Sequence, residues 1–217
     1  MRNSIGANVL QLPEGRDFNH KFNMKNEIMN NHKTELEPQN PAFLVGAVSG
    51  SLHSGKLVLD ACCGGRMFWY EKENPNVLFM DERQIDKGAF PNNWNPNWCV
   101  KPDVIADFRN MPFPDKSFKL IIYDPPHLTS GSMKSVINKK YGLLNKETWK
   151  EDIIDGFKEC WRVLDEHGTL IFKWNEANIK SSELIKSFHV KPLFGDFTGK
   201  TGKTIWFTFM KGVSSGQ

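Results

Sequence analysis

The sequence has few cysteines, and their spacing does not suit structural chemistry. Cys62, Cys63, Cys99 and Cys160 form no Cys-x-x-Cys pair. That argues against a zinc site and against a disulfide framework, so no metal is expected. No apolar run is long enough to span a bilayer, and residues 1–12 lack the apolar segment of a signal peptide. The expectation is a reduced, cytoplasmic protein with no membrane partner. An excess of one charge is missing as well: 28 Lys and Arg against 25 Asp and Glu leave a net charge of +3. This balance permits a polyanion partner but does not mark a dedicated nucleic-acid coat. Gly-x-Gly-x-x-Gly is also absent, which removes the phosphate turn of a dinucleotide dehydrogenase. There is no internal repeat and no low-complexity tract.

What is present reads as one domain with an extension. Residues 1–37 are polar and Asn-rich and are expected to be loosely ordered; 38–212 form a single domain, and 213–217 a disordered tail. Asn40-Pro41 is suited to opening a helix over Ala42 to Ser49. Short apolar runs then recur at Leu57–Asp60, Val77–Asp81, Val104–Asp107 and Leu120–Tyr123, and again at Thr169–Trp174 and Thr204–Met210. Between them, helices are predicted from Met67 to Glu71, from Thr148 to about Leu164, and from Ser182 to Phe188. Thr148 and Glu151 have capping-box spacing, and Gly168 is placed to close that helical region. The segment from Gly88 to Lys101 reads as a long irregular loop, and Leu128 to Lys146 as a Ser-, Gly- and Lys-rich loop. This alternation predicts a mostly parallel α/β sheet with helices on both faces. Lys200 to Lys203 leave room only for a tight turn, so the final pair of strands should be antiparallel.

Two stretches carry the chemistry. The first apolar strand runs into Asp60 and a turn of small residues, Ala61-Cys62-Cys63-Gly64-Gly65, where backbone can approach a ligand closely. Asp81 follows some twenty residues later, placed to accept hydrogen bonds from ribose hydroxyls or to stand as a plain strand-end carboxylate. The second stretch is Asp124-Pro125-Pro126-His127, where another strand breaks into a stiff turn. Lys134, Lys139 and Lys140 in the loop beyond it are candidates for phosphate contacts or a solvated face. Lys173, Trp174 and Asn175 fall at the end of the fifth strand and can line the same cleft, with Trp174 alternatively in the core.

From about Pro41 to Lys211 this order of features resembles the class I S-adenosylmethionine-dependent methyltransferases. The resemblance implies a Rossmann-like, mostly parallel seven-stranded sheet with an antiparallel C-terminal hairpin, and S-adenosylmethionine as cofactor. It implies that Asp60, Cys62, Gly64 and Gly65 form the first cofactor motif, that Asp81 holds the ribose, and that Asp107 and Phe108 flank the adenine. Asp124-Pro125-Pro126-His127 is similar to the Asp/Asn-Pro-Pro-aromatic motif of enzymes that methylate exocyclic amino nitrogens, above all N6 of adenine and N4 of cytosine in DNA. The chain departs from that pattern in having Cys62-Cys63 in the first motif and His127 where Tyr, Phe or Trp is commonest. It is also similar to a set of phage-associated methyltransferases with Cys-Cys-Gly after the first acid and a Phe-Lys-Trp-Asn-Glu strand end, here Phe172 to Glu176. The implied reaction is methyl transfer to an amino nitrogen of a nucleic-acid base, with adenine N6 in DNA as the leading expectation and low sequence specificity. An RNA base, a protein glutamine amide and a catalytically silent cofactor-binding module are the alternatives. Asp124 and the carbonyl of Pro125 would each accept one N–H of the acceptor, and His127 would stack on it or donate to it.

Overall fold

The fold is described here from a computed structural model for residues 55–90, 95–132, 135–198 and 202–213. The expected N-terminal extension, the helix over Ala42 to Ser49, most of the C-terminal tail, and Lys134 lie outside the described residues.

Seven strands form one sheet: β1 (Val58–Asp60), β2 (Val77–Asp81), β3 (Val104–Ile105), β4 (Phe118–Tyr123), β5 (Leu164–Asn175), β6 (Phe194–Thr198) and β7 (Thr204–Met210). Their spatial order is β3-β2-β1-β4-β5-β7-β6. β1 to β5 pair in parallel, whereas β7 runs antiparallel between β5 and β6. A parallel sheet closed by one reversed strand, with the order turning at β1 and β4, is the Rossmann-like class I methyltransferase fold. The order reverses between β1 and β4, and the crevice at the carboxyl ends of those two strands is where such sheets hold ligands.

The helices are α1 (Val136–Tyr141), α2 (Trp149–Val163) and α3 (Ser181–Ile185). α2 supplies the main core. Its Ile153, Phe157, Cys160 and Val163 are buried at helical spacing and pack with Leu170, Phe172 and Phe209 of the sheet. Phe157 stacks on Phe188 with ring centroids 3.9 Å apart. Each such buried side chain contributes about 1.5–3 kcal/mol. α2 also lies unusually close to β4. At Gly156 a Cβ would collide with the Tyr123 hydroxyl and come within 2.5 Å of Phe108 Cδ2.

Several sequence expectations are corrected. Met67 to Glu71 form turns, not a helix. Two side chains explain this: Trp69 Nε1 donates to Asp60 Oδ2 at 2.7 Å, and Arg66 donates to the backbone carbonyls of Lys72 and Lys101. Arg66 itself sits at φ 53, outside the helical region. This turn segment packs Trp69 against Phe79, at 5.4 Å and nearly perpendicular, so the helix expected between β1 and β2 is replaced by aromatic packing. Thr148 precedes α2, but the capping box does not form. Its hydroxyl bonds Asp152 Oδ2 at 2.9 Å and makes no cap bond to the backbone. α2 ends at Val163, before Gly168, because β5 begins at Leu164 and runs through that glycine with a register shift. Within Leu128 to Lys146 a short helix, α1, replaces part of the expected loop.

Candidate active site

Two chain segments meet at the carboxyl ends of β1 and β4. The β1 turn brings Cys62, Cys63, Gly64 and Gly65 to one wall of a cavity of about 240 Å³. Asp124, Pro125, Pro126 and His127 form the opposite wall, and Lys140, Lys173 and Arg83 complete it. A second, polar cavity of about 310 Å³ shares Asp124, His127, Tyr141 and Lys173 and is closed by Asn175 and Thr204. One cavity thus opens on the glycine turn and the other on the end of β5, with Asp124 and His127 common to both.

Gly64 has φ +47, and its N–H donates to Asp81 Oδ2 at 2.9 Å. Gly65 has no room for a side chain, since a Cβ there would collide with the Trp98 indole nitrogen. That nitrogen is buried and has no hydrogen-bond partner among the described residues. Asp60 is fully buried beneath the turn. It accepts from Trp69 Nε1 and, at 3.4 Å, from the N–H of Cys62. Burial, assisted by the nearby Asp124 and Asp81 carboxylates, pushes its carboxyl up to about 7. Burial also holds the Cys62 thiol well above its ordinary range, so it stays neutral at the cleft wall. Asp124 sets a carboxylate in the cavity wall opposite the glycine turn, an arrangement that suits a cationic ligand. A sulfonium bearing an amino group is such a cation, so the residues present fit S-adenosylmethionine.

Asp81 is buried, and its oxygens are engaged. Oδ1 accepts from the N–H and Nε of Arg83 at 3.0 and 2.9 Å; Oδ2 accepts from Gly64 and from Arg83 Nη2 at 3.2 Å. Arg83 Nη1 reaches on to the carbonyl of Lys139, at 3.2 Å. Asp81 stands out in the sequence at a strand end, whereas Arg83 does not. The signal available was the Asp-x-Arg spacing, which lets a guanidinium fold back on a carboxylate two residues earlier.

Asp124 keeps 22% of its side chain exposed, enough to be reached from the cavity, and its Oδ2 lies 2.5 Å from Lys173 Nζ. Burial raises its carboxyl and Lys173 opposes that by charge and by hydrogen bond. His127 is pushed down to about 4 by burial and by the Lys173 charge, so its imidazole is neutral at physiological pH. The ring stands 5.9 Å from Tyr141 and 6.4 Å from Trp174.

The remaining predicted residues divide. Lys140 and Lys173 line the first cavity and Asn175 the second, where its Nδ2 donates to Thr204 Oγ1 at 2.9 Å. Lys139 contributes its carbonyl to Arg83. Phe108 is buried at a small recess beside Asp81 and Pro126. Asp107 lies apart from these cavities, held in a bidentate pair with Arg109 that keeps its carboxyl below the usual range. Trp174 is corrected to the core: only 1% of it is exposed and Nε1 donates to Ile179 O at 3.0 Å. Strand alternation explains this, since Lys173 and Trp174 must face opposite sides of β5. The described residues hold no cluster of His, Cys, Asp and Glu able to bind a metal ion, and no helix among them is long and apolar enough to cross a membrane.

No protein-family model matches the chain. No curated protein matches it. Among solved structures it is similar to a SAM-dependent methyltransferase from Methanosarcina mazei, with 11% identity over 71% of this chain and 91% of that one, at a TM-score of 0.44. It is similar to a SAM-dependent methyltransferase of Leishmania major, with 13% identity over 79% and 74% and a TM-score of 0.42. It is also similar to the 1,6-didemethyltoxoflavin-N1-methyltransferase of Burkholderia thailandensis, with 15% identity over 77% of each chain and a TM-score of 0.41. The strand order of the sheet itself defines the fold.

Proposed function

We propose that the chain is an S-adenosylmethionine-dependent methyltransferase acting on an exocyclic amino nitrogen of a nucleic-acid base, with N6 of adenine in DNA as the leading acceptor. The observation that carries this reading is the meeting of the Cys62–Gly65 turn with Asp124-Pro125-Pro126-His127 across one cavity. When bound, the cofactor supplies a methyl group on a sulfonium. Asp60 and Asp81, buried beneath the turn, hold its backbone in place by accepting from the N–H groups of Cys62 and Gly64, and Gly64 and Gly65 leave the turn free of side chains.

An aromatic amino nitrogen is a poor nucleophile because its lone pair is delocalised into the ring. Asp124 and the Pro125 carbonyl can each accept one of its N–H groups and draw it towards tetrahedral geometry. The two prolines stiffen the turn and remove backbone donors, so the acceptors are in place before the base arrives. A neutral His127 offers a flat face to the base without adding charge beside it, and Tyr141 supplies a second ring nearby. The rest of the acceleration is alignment in the shared cleft.

The test is methyl transfer from labelled S-adenosylmethionine to DNA, RNA and a protein extract in parallel, with Asp124→Ala as control. N6-methyladenine in DNA, reduced at least about 10²-fold in the variant, is the expected outcome. Label confined to RNA or to protein would keep the chemistry and replace the acceptor. Cofactor binding with no transfer to any of the three would leave a silent binding module.

A further inference from the structure

In the parallel β4–β5 pair, Tyr123 sits opposite Phe172. The next residues along the two strands, Asp124 and Lys173, are therefore neighbours where β4 ends. Lys173 Nζ lies 2.5 Å from Asp124 Oδ2. The ammonium also faces two rings, 5.4 Å from the Phe68 centroid and 5.5 Å from that of Trp206. Those rings meet edge to face at 5.5 Å, and Trp206 is the cross-strand partner of Lys173 on β7. Two aromatic faces and a carboxylate thus fix the cation in one place. Among the described residues no other group donates to Asp124.

We propose that Lys173 is a positioning residue for the acceptor: it occupies Oδ2 of Asp124 and leaves Oδ1 alone to take the acceptor's N–H. This rests on the amino-methyltransferase reading above. A carboxyl drawn out of water reverts to its protonated form unless a cation stands beside it, and a protonated carboxyl donates where the reaction needs it to accept. Lysine suits the task because its ammonium is a point charge that can engage one oxygen. An arginine fork would engage both and leave none for the acceptor.

The test follows the Asp124 carboxyl directly, by carbon-13 NMR of the full chain labelled at aspartate, with Asp124→Asn to identify the signal. The other charged or titratable groups around it are Asp60 at the end of β1, Cys62 and Cys63 on the turn after it, His127 on the same turn as Asp124, Lys140 and Tyr141 of α1, and Arg83 in the cavity wall. All of these stay unchanged. In Lys173→Met the Asp124 titration should move up by about one to three pH units, and in Lys173→Gln in the same direction. Lys173→Arg should return it to the wild-type position, yet leave kcat for methyl transfer about 10²-fold low with the cofactor KM unchanged. An Asp124 titration that stays put in both Met and Gln variants, each shown to be folded, overturns the proposal. Full transfer in Lys173→Arg overturns the single-oxygen arrangement. The titration reads the pair whether or not a methyl acceptor is found, so a wrong acceptor class and a wrong role for Lys173 give different results.

Discussion

Asp60 is the clearest example of a residue whose burial decides its behaviour. Its carboxyl ionises at about 7 in the folded chain, against an ordinary value of 3.8. Between those two pH values the folded state holds a proton that the unfolded state has released. Stability is therefore highest below the ordinary value and falls as pH rises through about 7. In Asp60→Asn this fall should flatten: the melting temperature of the wild type drops from pH 4.5 to 7.5 by more than that of the variant. Identical slopes would mean that Asp60 is already ionised throughout. His127 behaves in the opposite sense, since burial keeps its imidazole neutral down to about 4. Between pH 5.5 and 8, the rate of methyl transfer should therefore show no step that His127→Phe removes. Sequence alone could place both residues, because each follows an apolar strand. It could not supply their ionisation, which depends on Trp69, Lys173 and the depth of the cavity.

At the scale of elements, α1 is the piece that pattern reading missed and the site needs. Its six residues span less than two turns and bury only Asn138, too little for hydrophobic periodicity to register. Local chemistry does mark it: Lys139 and Lys140 stand in its last turn, and Gly142 follows at φ 79 and ψ 171. That backbone is open to glycine alone, and a Cβ there would come within 2.8 Å of Pro126 Cγ. Gly142→Ala should thus cost about 1–3 kcal/mol by denaturant unfolding and depress methyl transfer, since the α1 end rests on the Asp-Pro-Pro turn. Arg83 ties the same helix to β2 through the carbonyl of Lys139. Arg83→Met should speed amide exchange over 136–142 while leaving α2 protected. The strands were legible because each is a short apolar run ending in a polar residue, and the reversed β7 because no crossover fits between it and β6. The failed helix after β1 shows the limit. Met67 to Glu71 has acceptable propensity, but Trp69 gains more from Asp60 and Phe79 than a five-residue helix can offer.

For the whole molecule, a net charge of +3 leaves the choice of acceptor to local groups. Lys140 and Lys173 reach the cavity that holds Asp124, and Lys139 adjoins them on α1. A polynucleotide acceptor would lay phosphates across this side, releasing a counterion for each one neutralised. KM for DNA should then rise with salt, with a log–log slope of about 0.9 for every phosphate contacted. Two such contacts would mean a slope near 2, or roughly a tenfold rise between 50 and 200 mM salt. Replacing Lys139 and Lys140 together by Ala should lower the slope by about 1 to 2 and raise KM for DNA. A free nucleoside or a glutamine-bearing peptide carries no row of phosphates, and its KM should hardly respond to salt. A flat response with DNA itself, in an enzyme that methylates it, would place the phosphate contacts elsewhere on the surface and leave α1 to the cavity wall alone.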